Sequence, residues 1–130
     1  MENPEKYRHG EITNRIIQGF YQVFNEVGFG FDREIYVNSL AIALKKMGIE
    51  IRKNQTVDVE FENEIVGQME VDLIADNKVL IQIFAEKELS EYDEQKSYNQ
   101  LKASGLNVGL ILNFGISPQF KRKESLSASG

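Results

Sequence analysis

Apolar residues recur at helical spacing near the start of the chain, at Ile12, Ile16, Ile17, Phe20, Val23, Phe24 and Val27. Side chains three and four apart share one face of an α-helix, so the stripe predicts a helix whose aromatic residues belong to a core. Gly28 follows, placed to end that helix as a left-handed cap. Beyond the turn Gly28-Phe29-Gly30-Phe31, Asp32 suits the N-cap of a second helix carrying Ile35, Tyr36, Leu40, Ala43, Leu44 and Met47 and stopping at Gly48. The two loop glycines lack the lysine and the preceding strand of a phosphate-binding loop, and that reading is discarded.

The period then shortens to about two residues, the signature of strands. Short extended pieces are expected at Glu50 to Arg52 and Val57 to Glu62, then a turn at Asn63-Glu64 into a strand from Ile65 to Ile74. In strict alternation Val71 and Leu73 face one way, Glu70 and Asp72 the other. Asp76 and Asn77 both tolerate positive φ and form the next turn. Val79 to Ala85 is apolar except for Gln82, which predicts a strand buried on both faces at the centre of a sheet. Gln82 and Phe84 share a face of it, with Phe84 expected in the core. Ser90 to Asp93 resembles a capping box for a helix reaching about Ala103 and Gly105, and Val108 to Asn113 is a last short strand. The order ααβββ(β)αβ predicts an α+β domain, a three-layer α/β arrangement of helices flanking a mixed sheet.

Composition adds bounds. The 130 residues make one domain, with a core expected over about 11–118 and flexible ends at 1–10 and 124–130. With no cysteine, disulfides and cysteine-ligated zinc are excluded. No run has the length to cross a bilayer and no signal peptide is recognisable, so a cytoplasmic protein without a membrane partner is expected. The formal net charge of −5 opposes tight non-specific nucleic-acid binding. Lys121, Arg122 and Lys123 form the basic cluster left for a weak contact, ahead of a polar tail.

Several stretches together resemble the small bacterial GxxExxY proteins: Gly28-Phe-Gly-Phe with Tyr36 and Ser39-Leu40, Val71-Asp72-Leu73, Val79 to Ala85, Leu101 to Leu110, and Asn113-Phe-Gly. The resemblance covers roughly Ile12 to Lys123 and implies a compact PD-(D/E)xK nuclease-like domain with a restriction-endonuclease-like core. In that superfamily an Asp, a second acidic residue and a Lys converge on Mg²⁺. The carboxylates supply hard oxygen ligands and the lysine serves the attacking water.

Carried over by position, the Asp is Asp72, the second acid falls on Gln82 and the Lys on Phe84. The signature Glu of the second helix falls on Arg33, and a Gln-xxx-Tyr pair on Lys96 and Gln100. Only Asp72 is retained. A neutral amide lacks the charge that offsets dehydration of Mg²⁺, and Phe84 serves no water. The resemblance therefore implies a degenerate active site, a pseudoenzyme without a cofactor that acts as a binding or partner module for nucleic acid, protein or a second copy of itself. The competing expectation is a divergent Mg²⁺-dependent DNA or RNA nuclease in which Asp72 and Gln82 are joined by a relocated Glu70 and Lys96.

Overall fold

The computed structural model describes residues 8–125. Helix α1 (Gly10–Val27) and helix α2 (Arg33–Lys46) precede strands β1 (Ile51–Phe61), β2 (Glu64–Ala75) and β3 (Val79–Phe84); helix α3 (Glu91–Ser104) and strands β4 (Val108–Phe114) and β5 (Pro118–Glu124) follow. The strands lie side by side in chain order, β3 and β4 parallel and all other neighbours antiparallel. Among the described residues this is the expected α+β fold, three helices on a mixed five-stranded sheet.

The predicted stripe of α1 buries Ile16, Phe20 and Val23, and α2 buries Tyr36, Val37, Leu40 and Leu44. Together they cover the face of the sheet that presents Leu73, Ile81, Ile83, Leu110 and Leu112. The two helices approach closely at Gly19, where an added Cβ would come within 2.7 Å of a Leu44 methyl group. On the opposite face α3 packs Leu101 and Tyr98 against Val71 and Leu80. The capping box at its start is present, with Asp93 N–H donating to Ser90 Oγ at 3.0 Å and Ser90 N–H donating to Asp93 Oδ2 at 3.3 Å. Strand β3 is central and buried from Val79 to Ile83, as its apolar run requires, and β4 is buried along its whole length.

Four expectations are corrected. First, the two pieces before the hairpin are one strand, β1, and its turn centres on Glu62 and Asn63, both at positive φ. Second, a fifth strand, β5, pairs with β4 from Phe114↔Pro118 to Val108↔Glu124, so the ordered core passes 118. Its pattern of three consecutive basic residues hid it, because an edge strand needs no apolar alternation. Buried Ser125, whose N–H donates to Asn107 O at 2.8 Å, extends the fold to that point. The expected flexible ends otherwise fall on residues 1–7 and 126–130, outside the described residues.

Third, strict alternation fails along β2. Leu73 lies in the core under α1 and α2, whereas Val71 lies under α3. The β1–β2 pairing passes from Lys53↔Leu73 to Gln55↔Val71 without a pair at Asn54, whose φ is 53°. Asparagine is among the few residues that visit this left-handed region readily, and the hairpin changes face there. Fourth, Phe84 is half-buried and lines an open cleft instead of filling the core. Replacing it by Ala is therefore expected to cost about 1–2 kcal/mol, below the range of about 3–5 for a core phenylalanine. Denaturant unfolding of Phe84→Ala checks this, and a loss in the upper range would return the ring to the core.

Candidate functional site

The change of face at Asp72 is what creates the site. Strands β2 and β3 pair only through Leu73↔Ile81, Ile74↔Leu80 and Ala75↔Val79. One step further the ladder ends, and the Asp72 carboxylate takes over a backbone partner: Oδ2 accepts the N–H of Ile83 at 2.7 Å. Beyond that point β2 parts from β3 and leaves a cleft of about 310 Å³ beneath α3. Glu70, Asp72, Gln82 and Lys96, the four residues expected from sequence, all line it, as do Arg33, Phe84 and Gln100.

Arg33 reaches the cleft from the first turn of α2. Its Nη1 donates to Asp72 Oδ1 at 2.7 Å, and the same nitrogen lies 3.4 Å from Ile83 O. The guanidinium and the carboxylate thus clip β2 to β3 where their own hydrogen bonds stop. The Arg33 side chain is 45% exposed and that of Asp72 16%, so the pair is worth under about 1 kcal/mol to stability. Its chemical effect is larger than its energy, because both Asp72 oxygens are already occupied by N–H donors.

Two further carboxyl groups line the cleft that sequence reasoning did not assign to it, Glu86 and Asp93. Asp93 was visible only as a helix cap, and Glu86 carried no signal, since the loop that places it is set by distant residues. Buried Asn113 on β4 holds this loop, its Oδ1 accepting Glu86 N–H at 3.0 Å and its Nδ2 donating to Glu86 O at 2.9 Å. A hydrogen bond to Asp93, followed by burial and the Asp93 charge, raises the Glu86 carboxyl above its ordinary value. Burial pushes Asp93 upward, but hydrogen bonds from Glu86 and Ser90, with the Lys96 charge, outweigh it and leave Asp93 below its ordinary value.

These shifts set a pH dependence. The raised Glu86 contributes stability that is present at low pH and is lost as pH rises through its folded value; the lowered Asp93 contributes stability lost as pH falls through its own. Glu86→Gln keeps an N–H donor toward Asp93 that does not titrate. Its melting midpoint relative to the native chain is therefore expected to rise as pH moves upward from the ordinary glutamate value toward neutrality. A difference that stays flat over that window would show that the two carboxyls do not share a proton.

Among the described residues no three His, Asp or Glu side chains gather as a bound metal ion requires. At the positions matched by the resemblance to Mg²⁺ ligands the donor set differs, although Glu70, Glu86 and Asp93 also line the cleft. Gln82 is neutral, Phe84 offers no donor atom, and Arg33 brings a positive charge onto the one carboxylate that was kept.

The basic cluster lies elsewhere. Lys121 and Lys123 project from β5 to a single carboxylate, Glu94, at 3.0 and 3.4 Å. Arg122 pairs with Glu124 at 2.6 Å and donates to Arg8 O. Hydrogen bonding to Lys121 comes first among the causes that hold the Glu94 carboxyl below its ordinary value. Glu94→Gln is accordingly expected to release both lysines and raise duplex-DNA affinity severalfold at low salt, with the native chain binding weakly. Fluorescence titration of a labelled duplex measures both, and sub-micromolar binding by the native chain at physiological salt would show a basic surface elsewhere.

The site thus sits on a mixed sheet between α1 and α2 on one face and α3 on the other, with Asp72 where β2 and β3 part. The chain belongs to the PD-(D/E)XK nuclease superfamily, whose family model matches residues 10–123. Among solved structures it is similar to an alkaline exonuclease (LHK-Exo) from Laribacter hongkongensis, at 12% identity and a TM-score of 0.46, over 90% of this chain and 71% of that one. Comparison with curated proteins finds no match. No helix among the described residues is long and apolar enough to cross a membrane.

Proposed function

We propose that this chain is a catalytically inactive PD-(D/E)XK domain that serves as a binding or partner module, with an internal guanidinium standing where its superfamily binds a divalent cation. The observation that carries the reading is the 2.7 Å contact between Arg33 Nη1 and Asp72 Oδ1. A guanidinium that never deprotonates, held on this carboxylate, offsets its charge and repels a cation brought to it. The neutral Gln82 and the apolar Phe84 act in the same direction. What remains is a folded cleft with a mixture of charges and two buried amides, Gln82 and Gln100, suited to recognition and not to hydrolysis.

A second reading rests on one observation. Glu70 and Lys96, the relocated groups of a divergent Mg²⁺-dependent nuclease, line the same cleft as Asp72. Thermal melting with added Mg²⁺ or Mn²⁺, together with a plasmid-nicking assay, separates the two. A metal-dependent rise in midpoint that disappears in Asp72→Ala, accompanied by nicking, would establish the nuclease. Neither effect is expected.

A further inference from the structure

Two buried polar atoms have no hydrogen-bond partner, Gln82 Nε2 on β3 and Ser97 Oγ on α3. Gln82 is 5% exposed and Ser97 4%. Orphaned groups at that depth cost free energy unless something satisfies them. Both residues line one small recess, whose other walls are Leu80, Leu101, Gly109, Leu110 and Ile111, with Lys123 at its side. The recess leaves about 10 Å³ open to the centre of a water molecule, near the least that one water requires.

Gly109 on β4 helps to keep that space. A Cβ there would meet the two Leu101 methyl groups at 3.3 and 3.4 Å, tighter than ordinary packing. The recess is thus bounded by four elements, β3, α3, β4 and, through Lys123, β5. The Lys123 ammonium is held by Glu94 at 3.4 Å, which leaves the Gln82 amide and the Ser97 hydroxyl as the two orphaned polar groups of a mostly apolar lining. An apolar guest would leave both unsatisfied, and a cation would face the amide N–H. Water matches the chemistry, since it accepts from the amide and exchanges a hydrogen bond with the hydroxyl.

We propose that a single buried water occupies this recess and bridges Gln82 Nε2 to Ser97 Oγ, tying β3 to α3 beneath the cleft. Gln82 also lines the cleft itself, so the water makes Ser97 a positioning residue for the amide at the place where the superfamily carries an acid. The inference stands on the two orphaned atoms and the recess that both residues line, independently of whether the domain is inactive.

A crystal structure at a resolution that shows ordered solvent tests the native chain directly. A water within about 2.7–3.2 Å of both atoms is expected, and its absence in Gly109→Ala, whose methyl group narrows the space. A dry recess, with Gln82 and Ser97 bonded to protein groups instead, would overturn the proposal. Denaturant midpoints of Gln82→Leu, Ser97→Ala and the double variant give a second readout. A shared water makes the double shift smaller than the sum of the single shifts; strictly additive shifts would count against it.

Discussion

Addition of about 10 mM Mg²⁺ or Mn²⁺, matched in ionic strength with NaCl, leaves the melting midpoint of the native chain unchanged, whereas the triple variant Arg33→Glu, Gln82→Glu, Phe84→Lys gains about 4–6 °C. The expectation follows from what each side chain does to a cation at Asp72. In the native chain Arg33 Nη1 sits on Asp72 Oδ1 and the Ile83 N–H on Oδ2, so a metal would meet a permanent positive charge and a backbone donor already on that carboxylate. A single carboxylate does not order an octahedral ion, and a neutral amide adds no charge to offset its dehydration. The triple variant removes the competing guanidinium, restores a second acid on the neighbouring strand and places a lysine beside them. If that site binds with a Kd of about 1 mM, metal at about ten times that concentration adds roughly 1.4 kcal/mol to folding. Salt matching matters because an acidic protein gains stability from screening alone. A rise in the native chain that Asp72→Ala abolishes would overturn the reading of Arg33 as an occupant of the cation position, and Lys96 would then be the first residue to replace.

Asn113→Ala is expected to destabilise the domain by about 3 kcal/mol, a large loss for one polar side chain. Asn113 is 0% exposed and makes three hydrogen bonds: it accepts Glu86 N–H and donates to Glu86 O and, at 3.3 Å, to Gln119 Oε1. Truncation removes the partner of both Glu86 backbone groups at once and opens a small cavity beside the loop. Gly115, two residues on, serves the same loop. An added Cβ would lie 2.6 Å from Glu86 O, 2.9 Å from Lys87 O and 2.9 Å from Asn113 Nδ2, and two of these atoms are backbone that cannot swing aside. Gly115→Ala should therefore approach the loss seen for Asn113→Ala, and urea unfolding measures both. Losses under about 1 kcal/mol would mean that the β3–α3 loop, and with it Glu86, is not held in place by β4.

This clamp gives a physical meaning to the run Asn113-Phe-Gly, which in the sequence only contributes to a resemblance. Phe114 stacks on Tyr36 with ring centroids 4.3 Å apart. The Tyr36 hydroxyl in turn accepts Phe31 N–H and donates to Gly28 O. Loop Gly28 to Phe31, the start of α2 and the end of β4 are thereby joined, and Arg33 is set at the mouth of the cleft by groups that touch neither the cleft nor Asp72.

The sequence by itself determined the elements whose signals are local. The α1 stripe, the Ser90–Asp93 capping box, the Asp76-Asn77 turn and the buried run of β3 depend on residues a few positions apart, where propensity and periodicity act. It also placed Asp72, Gln82, Glu70 and Lys96 in one region, because the strand order brings β2, β3 and α3 together. Only the tertiary structure decided what those groups do. The Arg33–Asp72 pair joins residues 39 positions apart, and the charge on an arginine in a sequence does not say whether it points into solvent or onto a carboxylate. The same holds for Glu94, which neutralises Lys121 and Lys123 from another element, and for Glu86, aimed by Asn113. Strand β5 and the change of face at Asp72 escaped because an edge strand and a left-handed Asn54 both break the alternation from which strands are read. Long-range pairing is settled by which surfaces the packed layers bring within a few ångströms, and one chain of letters carries no record of that distance.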